Sequence, residues 1–365
     1  MKQPHKTSQS TGRLPAVQKT GTVAAGGLGF APILSRIPFL VAVLLLVVCT
    51  TPRATAGTST NAARLLVIVG AAGEASFSSN FVQQAGLWRE VAAKGGVSMT
   101  TLGLDEPAVP ATQETDTPRV DDLQRLHSLI QAEPTDTPQE LWIVLIGHGT
   151  FDGKEALFNL RGPDLSGSEL AAWLKPFRRP IAVIDTASAS APFINKLAAT
   201  NRVIISATRS GHEHNATRFG RCLAEAIADP RGDLDQDGQT SLLEAFLSAS
   251  FQVAEFYKTE GRMATEHALI DDNGDGFGTP ADWFRGLRPV KKSKDTGVLD
   301  GLRAHQFHLV RSPDEARLSP EVRARRDALE ADISKLRESR VAMGDEAYFA
   351  RLEPLLLDLA RIYKD

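Results

Sequence analysis

The chain has 365 residues with a formal net charge of −3, and 42% of its residues are hydrophobic. This length and composition are typical of a globular protein with one or two domains. Residues 1–56 contain six Lys or Arg and no Asp or Glu, which leaves 35 basic and 44 acidic residues in the remainder. An acidic remainder argues against a nucleic-acid binder, and two cysteines, at positions 49 and 222, exclude a disulfide framework.

The first 56 residues have the order of an export signal. A basic stretch without acidic residues ends at Arg36, apolar residues 37–48 follow, and residues 54–56 (Ala-Thr-Ala) offer a cleavage site. The apolar stretch is shorter than the about 20 residues that span a membrane comfortably, but the long basic lead favours an anchor retained through residues 37–49. A cleaved signal and an anchor both stay open. Both predict an extracytoplasmic body that is secreted, periplasmic or held at the cytoplasmic membrane.

Patterns of strands and helices alternate in the next part of the chain. Short apolar, β-branched runs predict five strands: Leu65–Val69, Val97–Leu102, Leu141–Ile146, Ile181–Ile184 and Arg202–Ser206. Apolar residues at helical spacing predict five helices: Asn80–Ala93, Val120–Ala132, Ser168–Phe177, Phe193–Ala198 and Thr217–Ala228. Residues 105–119 are rich in Pro, Thr and acidic side chains and predict a surface loop. The alternation predicts an α/β fold with helices on both faces of a mostly parallel sheet.

Polar residues follow the third and fourth predicted strands where each strand ends. His148 stands between two glycines after the third strand, and Asp185 with a run of small residues ends the fourth. The helix predicted between them makes a β–α–β crossover, so the two strands should be parallel neighbours. Their carboxyl ends then bring His148 beside the turn 186–190, at the edge where open α/β sheets bind ligands.

Residues 63–229 resemble the clan of cysteine peptidases that includes legumains and caspases. In those proteins a first strand leads through a small-residue loop into a helix, and a later apolar strand ends in a His-Gly pair, here His148-Gly149. The resemblance implies a caspase/legumain-like fold that binds a peptide or protein. It also implies that His148 is the catalytic histidine and that Asp185 helps to line the substrate pocket. The Gly149 N–H would be placed to stabilise an oxyanion.

The position of the family's nucleophilic cysteine holds Ala187 or Ser188, depending on which part of the surrounding motif is aligned. Neither residue carries a thiol, which is intrinsically nucleophilic and ionises near neutral pH. A serine hydroxyl needs a hydrogen-bonded base that a third group orients. Three interpretations stay open: a catalytically silent peptidase fold that binds or regulates, a hydrolase that uses Ser188 with His148, and an unrelated α/β fold.

The most specific motif is residues 233–244, which match an EF-hand calcium loop. Acidic residues occupy positions 1, 3, 5 and 12, and Gly238 at position 6 allows the sharp turn. Thr240 at position 8 departs from the aliphatic residue that EF-hand loops prefer there. The predicted Ca²⁺ ligands are Asp233, Asp235, Asp237, Gln239 through its carbonyl, Ser241 through a water, and Glu244. The alternative is an Asp/Gly-rich turn without an ion, although three close carboxylates repel one another without a cation.

A second candidate loop spans residues 271–282. It has Asp, Asn, Asp and Asp at positions 1, 3, 5 and 12, with glycine at positions 6 and 8. Its predicted Ca²⁺ ligands are Asp271, Asn273, Asp275, Phe277 and Asp282. The two loops start 38 residues apart, a spacing that is compatible with a pair of EF-hand-like or dockerin-like loops. Calcium would have a constitutive, structural role at both.

Residues 319–365 predict an antiparallel helical hairpin. Ser319 and Pro320 begin the first helix, Gly344 ends it and Asp345 caps the second. Each helix has an apolar face, which either packs against the body, as we favour, or contacts a partner helix. The second alternative would make the protein a calcium-stabilised scaffold that acts through its C-terminal helices.

The predicted organisation therefore has five parts. These are an export signal or anchor at 1–56, a caspase/legumain-like α/β domain at 63–229, a calcium-loop region at 230–290, a linker at 291–318 with a short strand over 306–310, and the helical hairpin at 319–365.

Overall fold

The computed structural model describes residues 63–104, 121–292 and 298–364, in which strands and helices alternate as predicted. The strands are β1 Arg64–Val69, β2 Ser98–Leu102, β3 Leu141–Ile146, β4 Gly149–Phe151, β5 Ala156–Phe158, β6 Leu165–Ser166, β7 Ile181–Asp185, β8 Arg202–Ser206, β9 Leu269–Asp271, β10 Thr279–Pro280, β11 Phe284–Arg285 and β12 Arg288–Pro289. The helices are α1 Ala75–Gly95, α2 Asp122–Gln131, α3 Gly167–Leu174, α4 Ala191–Leu197, α5 Phe219–Ala228, α6 Leu242–Thr259, α7 Leu302–Gln306, α8 Pro313–Arg317, α9 Pro320–Met343 and α10 Asp345–Ile362.

Seven strands form a central sheet in the order β10-β9-β8-β7-β3-β1-β2. The strands from β8 to β2 are parallel, whereas β9 and β10 extend the β8 edge in antiparallel pairings. In the centre, β3 pairs with β7 from Leu141 opposite Ile181 to Leu145 opposite Asp185. The predicted α/β fold and its parallel crossover are therefore confirmed. A small antiparallel sheet, β4-β5-β6, follows β3.

The central strands are buried because helices cover both faces of the sheet. Every residue of β3 is 0% exposed. Side chains alternate along β1, so that Leu65 and Val67 enter the core shared with α1, α5 and α6. Leu66 and Ile68 enter a second core shared with α2, α3 and α4. The near-continuous apolar runs in the sequence are explained by this double-sided burial.

The chain beyond residue 230 shares this sheet and core. Strands β9 and β10 lie within the central sheet, and helix α6 packs against α5. The segment predicted as a linker contributes Phe307 and Leu309 to the first core, where the Phe307 ring lies 5.7 Å from that of Trp142. The described residues accordingly form one compact unit.

The short strand predicted over residues 306–310 is wrong. Helix α7 occupies the residues just before and at the start of this range, and no strand follows it there. The Asp272 carboxylate accepts hydrogen bonds from the N–H groups of Gly301 and Ala304, 2.8 and 2.7 Å away. A side chain distant in sequence thus caps α7, and no local pattern signals this contact.

Helices α9 and α10 pack against each other as the predicted hairpin. The Ser319 hydroxyl accepts the N–H of Val322 and caps α9, as the sequence predicts. Gly344, and not Asp345, is the N-cap residue of α10. The Asp345 carboxylate instead accepts a hydrogen bond from Arg340, 2.9 Å away.

The export signal or anchor predicted at 1–56 and the surface loop predicted at 105–119 lie outside the described residues. Within the described part of the chain, no helix is long and apolar enough to cross a membrane.

Arg202 is a buried cation that binds the carbonyl ends of two helices. It donates hydrogen bonds to the carbonyl oxygens of Leu174, the last residue of α3 (2.5 Å), and Leu197, the last residue of α4 (2.9 Å). We expect Arg202→Met to lower the free energy of unfolding by about 2–4 kcal/mol, because two helix ends lose a charged partner. Urea denaturation measures this loss.

The matched control is Arg221→Met, because this side chain lies on the surface of α5 and is 56% exposed. Among the described residues it pairs with Glu225 alone, and its loss should change stability by less than about 0.5 kcal/mol. Equal effects of the two substitutions would contradict the capping role of Arg202.

Candidate functional sites at the carboxyl edge and in the acidic loops

The carboxyl ends of β3 and β7 bring the Gly149 and Ser188 backbones together, as the crossover predicts. The Ser188 hydroxyl accepts a hydrogen bond from the Gly149 N–H (3.1 Å) and donates one to the Gly149 carbonyl oxygen (3.0 Å). Ser188 is only 3% exposed. Its proton and an acceptor position are therefore used by the backbone of the neighbouring loop.

His148 is held by aromatic side chains of α1 and not by the serine. Its ring packs edge-on against Phe77 and Phe81, with centroid distances of 4.5 and 5.2 Å. Among the described residues, no hydrogen bond joins His148 to Ser188. The arrangement lacks the base–hydroxyl contact that activates a serine, and the Gly149 N–H already has the serine oxygen as its acceptor.

The alternative nucleophile positions offer no reactive group. Ala187 is 1% exposed and its methyl group belongs to the second core. Burial raises the pKa of the Cys222 thiol to about 11. This thiol on α5 is therefore protonated at neutral pH and a weak nucleophile.

The turn after β7 is tightly held. Ala189 adopts a left-handed conformation (φ 54°), which costs a residue with a side chain about 1–2 kcal/mol. Its N–H donates to the Glu213 carbonyl oxygen (2.8 Å). The Ser190 and Thr208 hydroxyls bond to each other (3.1 Å) and also accept the N–H groups of Ala207 and Ala191. These contacts fix the turn against the loop that follows β8.

Asp185 lies beneath this turn. One carboxyl oxygen accepts the Ala187 N–H (3.0 Å), and the other is buried without a hydrogen-bond partner among the described residues. Burial raises the pKa of Asp185 to about 7. The side chain is 1% exposed. The structure therefore places it inside the protein and not along the open pocket that the resemblance implies.

A carboxylate–histidine pair beside the turn was not found from the sequence. Glu213 lies 2.6 Å from the Nδ1 atom of His267, just before β9, and 3.3 Å from Arg209. The pair joins the loop after β8 to the antiparallel edge of the sheet. The partners are far apart in sequence, and neither belongs to a recognisable motif.

The first acidic loop winds round a common point between α5 and α6. Carboxylate oxygens of Asp233, Asp235 and Asp237 lie within 4.8 Å of one another. The backbone is left-handed at Gln236 and Gly238, with φ of 62° and 90°. Both Asp233 oxygens accept backbone N–H groups from inside the loop, at 3.1 and 2.9 Å. Burial and then the Asp235 charge raise the pKa of Asp237. An oxygen-only set of this kind fits a hard cation such as Ca²⁺.

Glu244 ends this loop and lies in the first turn of α6. One of its carboxylate oxygens accepts the N–H groups of Leu234 (2.7 Å) and Asp235 (3.3 Å). The other accepts the Ser241 N–H and hydroxyl, which completes a capping box with Ser241 as the N-cap residue. Ser241, predicted to bind the ion through a water, is 0% exposed, and its hydroxyl is engaged in capping α6.

Two long-range contacts tie the first loop to the C-terminal part of the chain. The His305 Nε2 atom lies 3.0 Å from an Asp235 carboxylate oxygen. The Gln239 side chain donates to Asp237 and accepts the Ser312 N–H, at 3.0 and 3.1 Å. The sequence offers no signal for either contact.

The second acidic loop repeats the backbone geometry of the first. It is left-handed at positions 4 and 6, Gly274 and Gly276, each with φ of 80°. Both glycines donate N–H groups to Asp271, at 2.9 Å each. Asp275 accepts the Phe277 N–H (2.7 Å), just as Asp237 accepts the equivalent N–H of the first loop.

The second loop differs from the EF-hand pattern in its surroundings. It is entered from strand β9 and not from a helix. Asp282, predicted as its last ligand, is exposed in a short 3-10 turn. Asp300, far downstream, instead accepts the N–H groups of Asp272 and Asn273 and the Thr279 hydroxyl.

The sheet and these sites define an α/β protein with a closed carboxyl edge and two acidic loops. No protein-family model matches the chain, and no curated protein matches it. Among solved structures it is similar to the initiator caspase Dronc of Drosophila, with 11% identity over 60% of this chain and 81% of that chain, at a TM-score of 0.37. It is also similar to a protein of Geobacter sulfurreducens (12% identity, 58% of this chain, 92% of that chain, TM-score 0.35). A third similar structure is caspase-1 of Spodoptera frugiperda, with 10% identity over 58% of this chain and 87% of that chain, at a TM-score of 0.35.

The buried Asp185 carboxyl makes stability depend on pH. The folded protein keeps this proton up to about pH 7, whereas an unfolded chain releases it near 3.8. Between these values the folded state binds more protons, so this group's contribution to stability falls as pH rises. Asp185→Asn should therefore gain about 2–4 kcal/mol relative to wild type between about pH 4 and pH 8, measured by urea denaturation.

Asp152→Asn serves as the control. The N–H groups of Glu155 and Lys154 lower the pKa of this exposed carboxyl. The stability that its charged form contributes is therefore lost as the pH falls, which is the reverse of the dependence expected for Asp185. A parallel pH dependence of wild type and Asp185→Asn would show that Asp185 titrates as an ordinary surface carboxyl.

Proposed function

We propose that this chain is an exported calcium-binding protein with a caspase/legumain-like fold, catalytically silent, that acts as a binding or regulatory module for a peptide or protein. The observation that carries the proposal is the pair of hydrogen bonds between the Ser188 hydroxyl and the Gly149 backbone. They use the proton that a nucleophilic serine gives to its base, and the N–H that stabilises an oxyanion.

Chemistry at this edge would require several changes at once. Ser188 would have to release both backbone groups of Gly149, and His148 would have to leave its contacts with Phe77 and Phe81. The turn that carries Ser188 is itself fixed to the loop after β8. A site that must break its own contacts before it reacts lacks the preorganisation that makes enzymes fast.

The calcium part of the proposal is supported by the donor set of the first loop. Asp233, Asp235, Asp237 and Glu244 supply carboxylate oxygens around a left-handed turn, and their mutual repulsion favours a cation. The second loop has the same turn around Asp271. If the body is extracytoplasmic, as residues 1–56 predict, weak sites of about 0.1–1 mM affinity would stay filled and act structurally.

A scaffold that acts through the C-terminal helices is the second candidate. Phe349, Leu356 and Leu357 on α10 are 54%, 44% and 51% exposed and line an apolar groove with Leu352. Exposed apolar patches of this kind mark interaction surfaces. Loss of a defined partner on Leu356→Glu, with folding unchanged, would support this candidate.

We expect the purified protein in calcium to show no labelling by a fluorophosphonate probe and no cleavage of a mixed peptide library. Ser188→Ala should lower the free energy of unfolding by about 1–3 kcal/mol, because two Gly149 groups lose their partner. Chemical denaturation measures the loss. Labelling that disappears in both Ser188→Ala and His148→Ala would instead make the protein a serine hydrolase and end the proposal of silence.

Calcium should raise the melting temperature of the wild-type protein by several degrees, as a ligand of the folded state does. Glu244→Gln keeps a residue that serves in the α6 capping box but removes a carboxylate charge. This variant should fold normally and bind calcium at least about tenfold more weakly by isothermal titration.

Glu169→Gln is the matched control, since Glu169 completes the equivalent capping box of α3, away from either acidic loop. It should bind calcium like the wild type. A wild-type protein that takes up no calcium, or a Glu244→Gln variant with unchanged affinity, would overturn the assignment of the first loop.

A further inference from the structure

A histidine of α7 meets the first acidic loop. The Nε2 atom of His305 lies 3.0 Å from a carboxylate oxygen of Asp235. Together with Glu244 these side chains form a cluster in which one ligand atom of each lies within 4.8 Å of the others. The three residues belong to the loop, to the first turn of α6 and to α7. Two carboxylates and one imidazole thus converge from separate segments of the chain.

Backbone contacts hold these three segments together. The N–H of Leu242, at the start of α6, donates to the carbonyl oxygen of Phe307, just after α7 (2.8 Å). Glu244 is 1% exposed and is bonded within the capping box of α6, and the Asp272 carboxylate caps α7. The segments that carry the cluster are therefore fixed before an ion arrives, as a preorganised metal site requires.

The carboxylates around this cluster lack a permanent cation. Asp233, Asp235, Asp237 and Glu244 carry four negative charges, and within the described part of the chain no lysine or arginine forms an ion pair with any of them. Their ion pair there is that of Asp235 with His305. An imidazolium offsets one charge, and only when it is protonated. A divalent cation offsets two charges and leaves the imidazole neutral, as a ligand must be.

The distance between His305 and Asp235 fits two ligands of one metal ion. Zinc lies about 2.0–2.2 Å from imidazole nitrogen and carboxylate oxygen ligands, which places neighbouring ligand atoms about 3 Å apart. The two side chains are 28% and 35% exposed, so an ion can reach them from the solvent.

The imidazole nitrogen distinguishes this donor set from that of a calcium site. Ca²⁺ takes oxygen ligands, whereas imidazole suits Zn²⁺ and other divalent transition metals. The loop thus carries two overlapping donor sets, one of three aspartates and one of Asp235, Glu244 and His305. Asp235 and Glu244 are also predicted calcium ligands, so a transition metal and calcium would compete for them.

We propose that Asp235, Glu244 and His305 bind a divalent transition metal of the zinc class. The inference rests on the first loop of the proposed function, with which it shares two carboxylates, but not on the binding of calcium itself. His305 is the ligand that selects the metal. The bound ion would join the first loop and α6 to α7, and so would hold the C-terminal part of the chain against the sheet.

The test titrates the full-length protein with zinc chloride and, separately, with calcium chloride by isothermal titration calorimetry. We expect the wild type to bind zinc saturably. His305→Gln keeps a side chain that can donate a hydrogen bond to Asp235 but removes the imidazole ligand. It should bind zinc at least about tenfold more weakly, and its calcium affinity should change by less than about twofold. Asp235→Asn should weaken the binding of both ions.

His214→Ala is the matched control, because His214 is exposed in the loop after β8 and belongs to neither acidic loop. It should bind zinc like the wild type, and circular dichroism checks the folding of each variant. No saturable zinc binding, or equal zinc affinity of the wild type and a folded His305→Gln variant, would refute the inference and leave a hydrogen bond alone between His305 and Asp235. Zinc binding that depends on His305, in a protein that takes up no calcium, would uphold the inference and end the calcium assignment instead.

Discussion

The parallel pairing of β3 with β7 decides what the carboxyl edge can do. Because Leu145 lies opposite Asp185, β3 and β7 end at the same level of the sheet, and the turns that follow them meet. The approach is so close that a Cβ atom on Gly149 would lie 2.3 Å from the Ser188 carbonyl oxygen. In this space the Ser188 hydroxyl bonds to both the N–H and the carbonyl group of Gly149. Ser188, which occupies the position of a nucleophile in the resemblance, thus belongs to the contacts that close this edge of the sheet.

The acidic loops lie where later parts of the chain join the sheet. The first precedes α6 and contacts α7 through His305, and the second connects β9 with β10 and receives Asp300. In the proposed function, a cation at either loop would offset carboxylate repulsion at these junctions. Calcium would then stabilise the contacts of the antiparallel edge and of α7 with the parallel part of the sheet. The helical hairpin, which follows α7 in the chain, would be attached to this stabilised region.

The sequence predicts elements whose signals are local. Apolar, β-branched runs locate the central strands, and Ser319 marks the start of α9 because capping needs only the next three residues. The contacts of Glu213 with His267 and of Asp235 with His305 join distant segments, and no periodicity signals them. The role of Ser188 likewise depends on strand register, which a local motif does not contain. The sequence thus locates the site, but its chemistry depends on contacts from across the fold.

Phe307 and Leu309 enter the same core as Leu65 and Val67 of the first strand. A chain synthesised from its N-terminus therefore cannot complete this core until the α/β strands, both acidic loops and α7 have all been made. Contacts of such long sequence separation slow folding and leave apolar surface open meanwhile. Late closure makes truncation before residue 309 incompatible with a finished core.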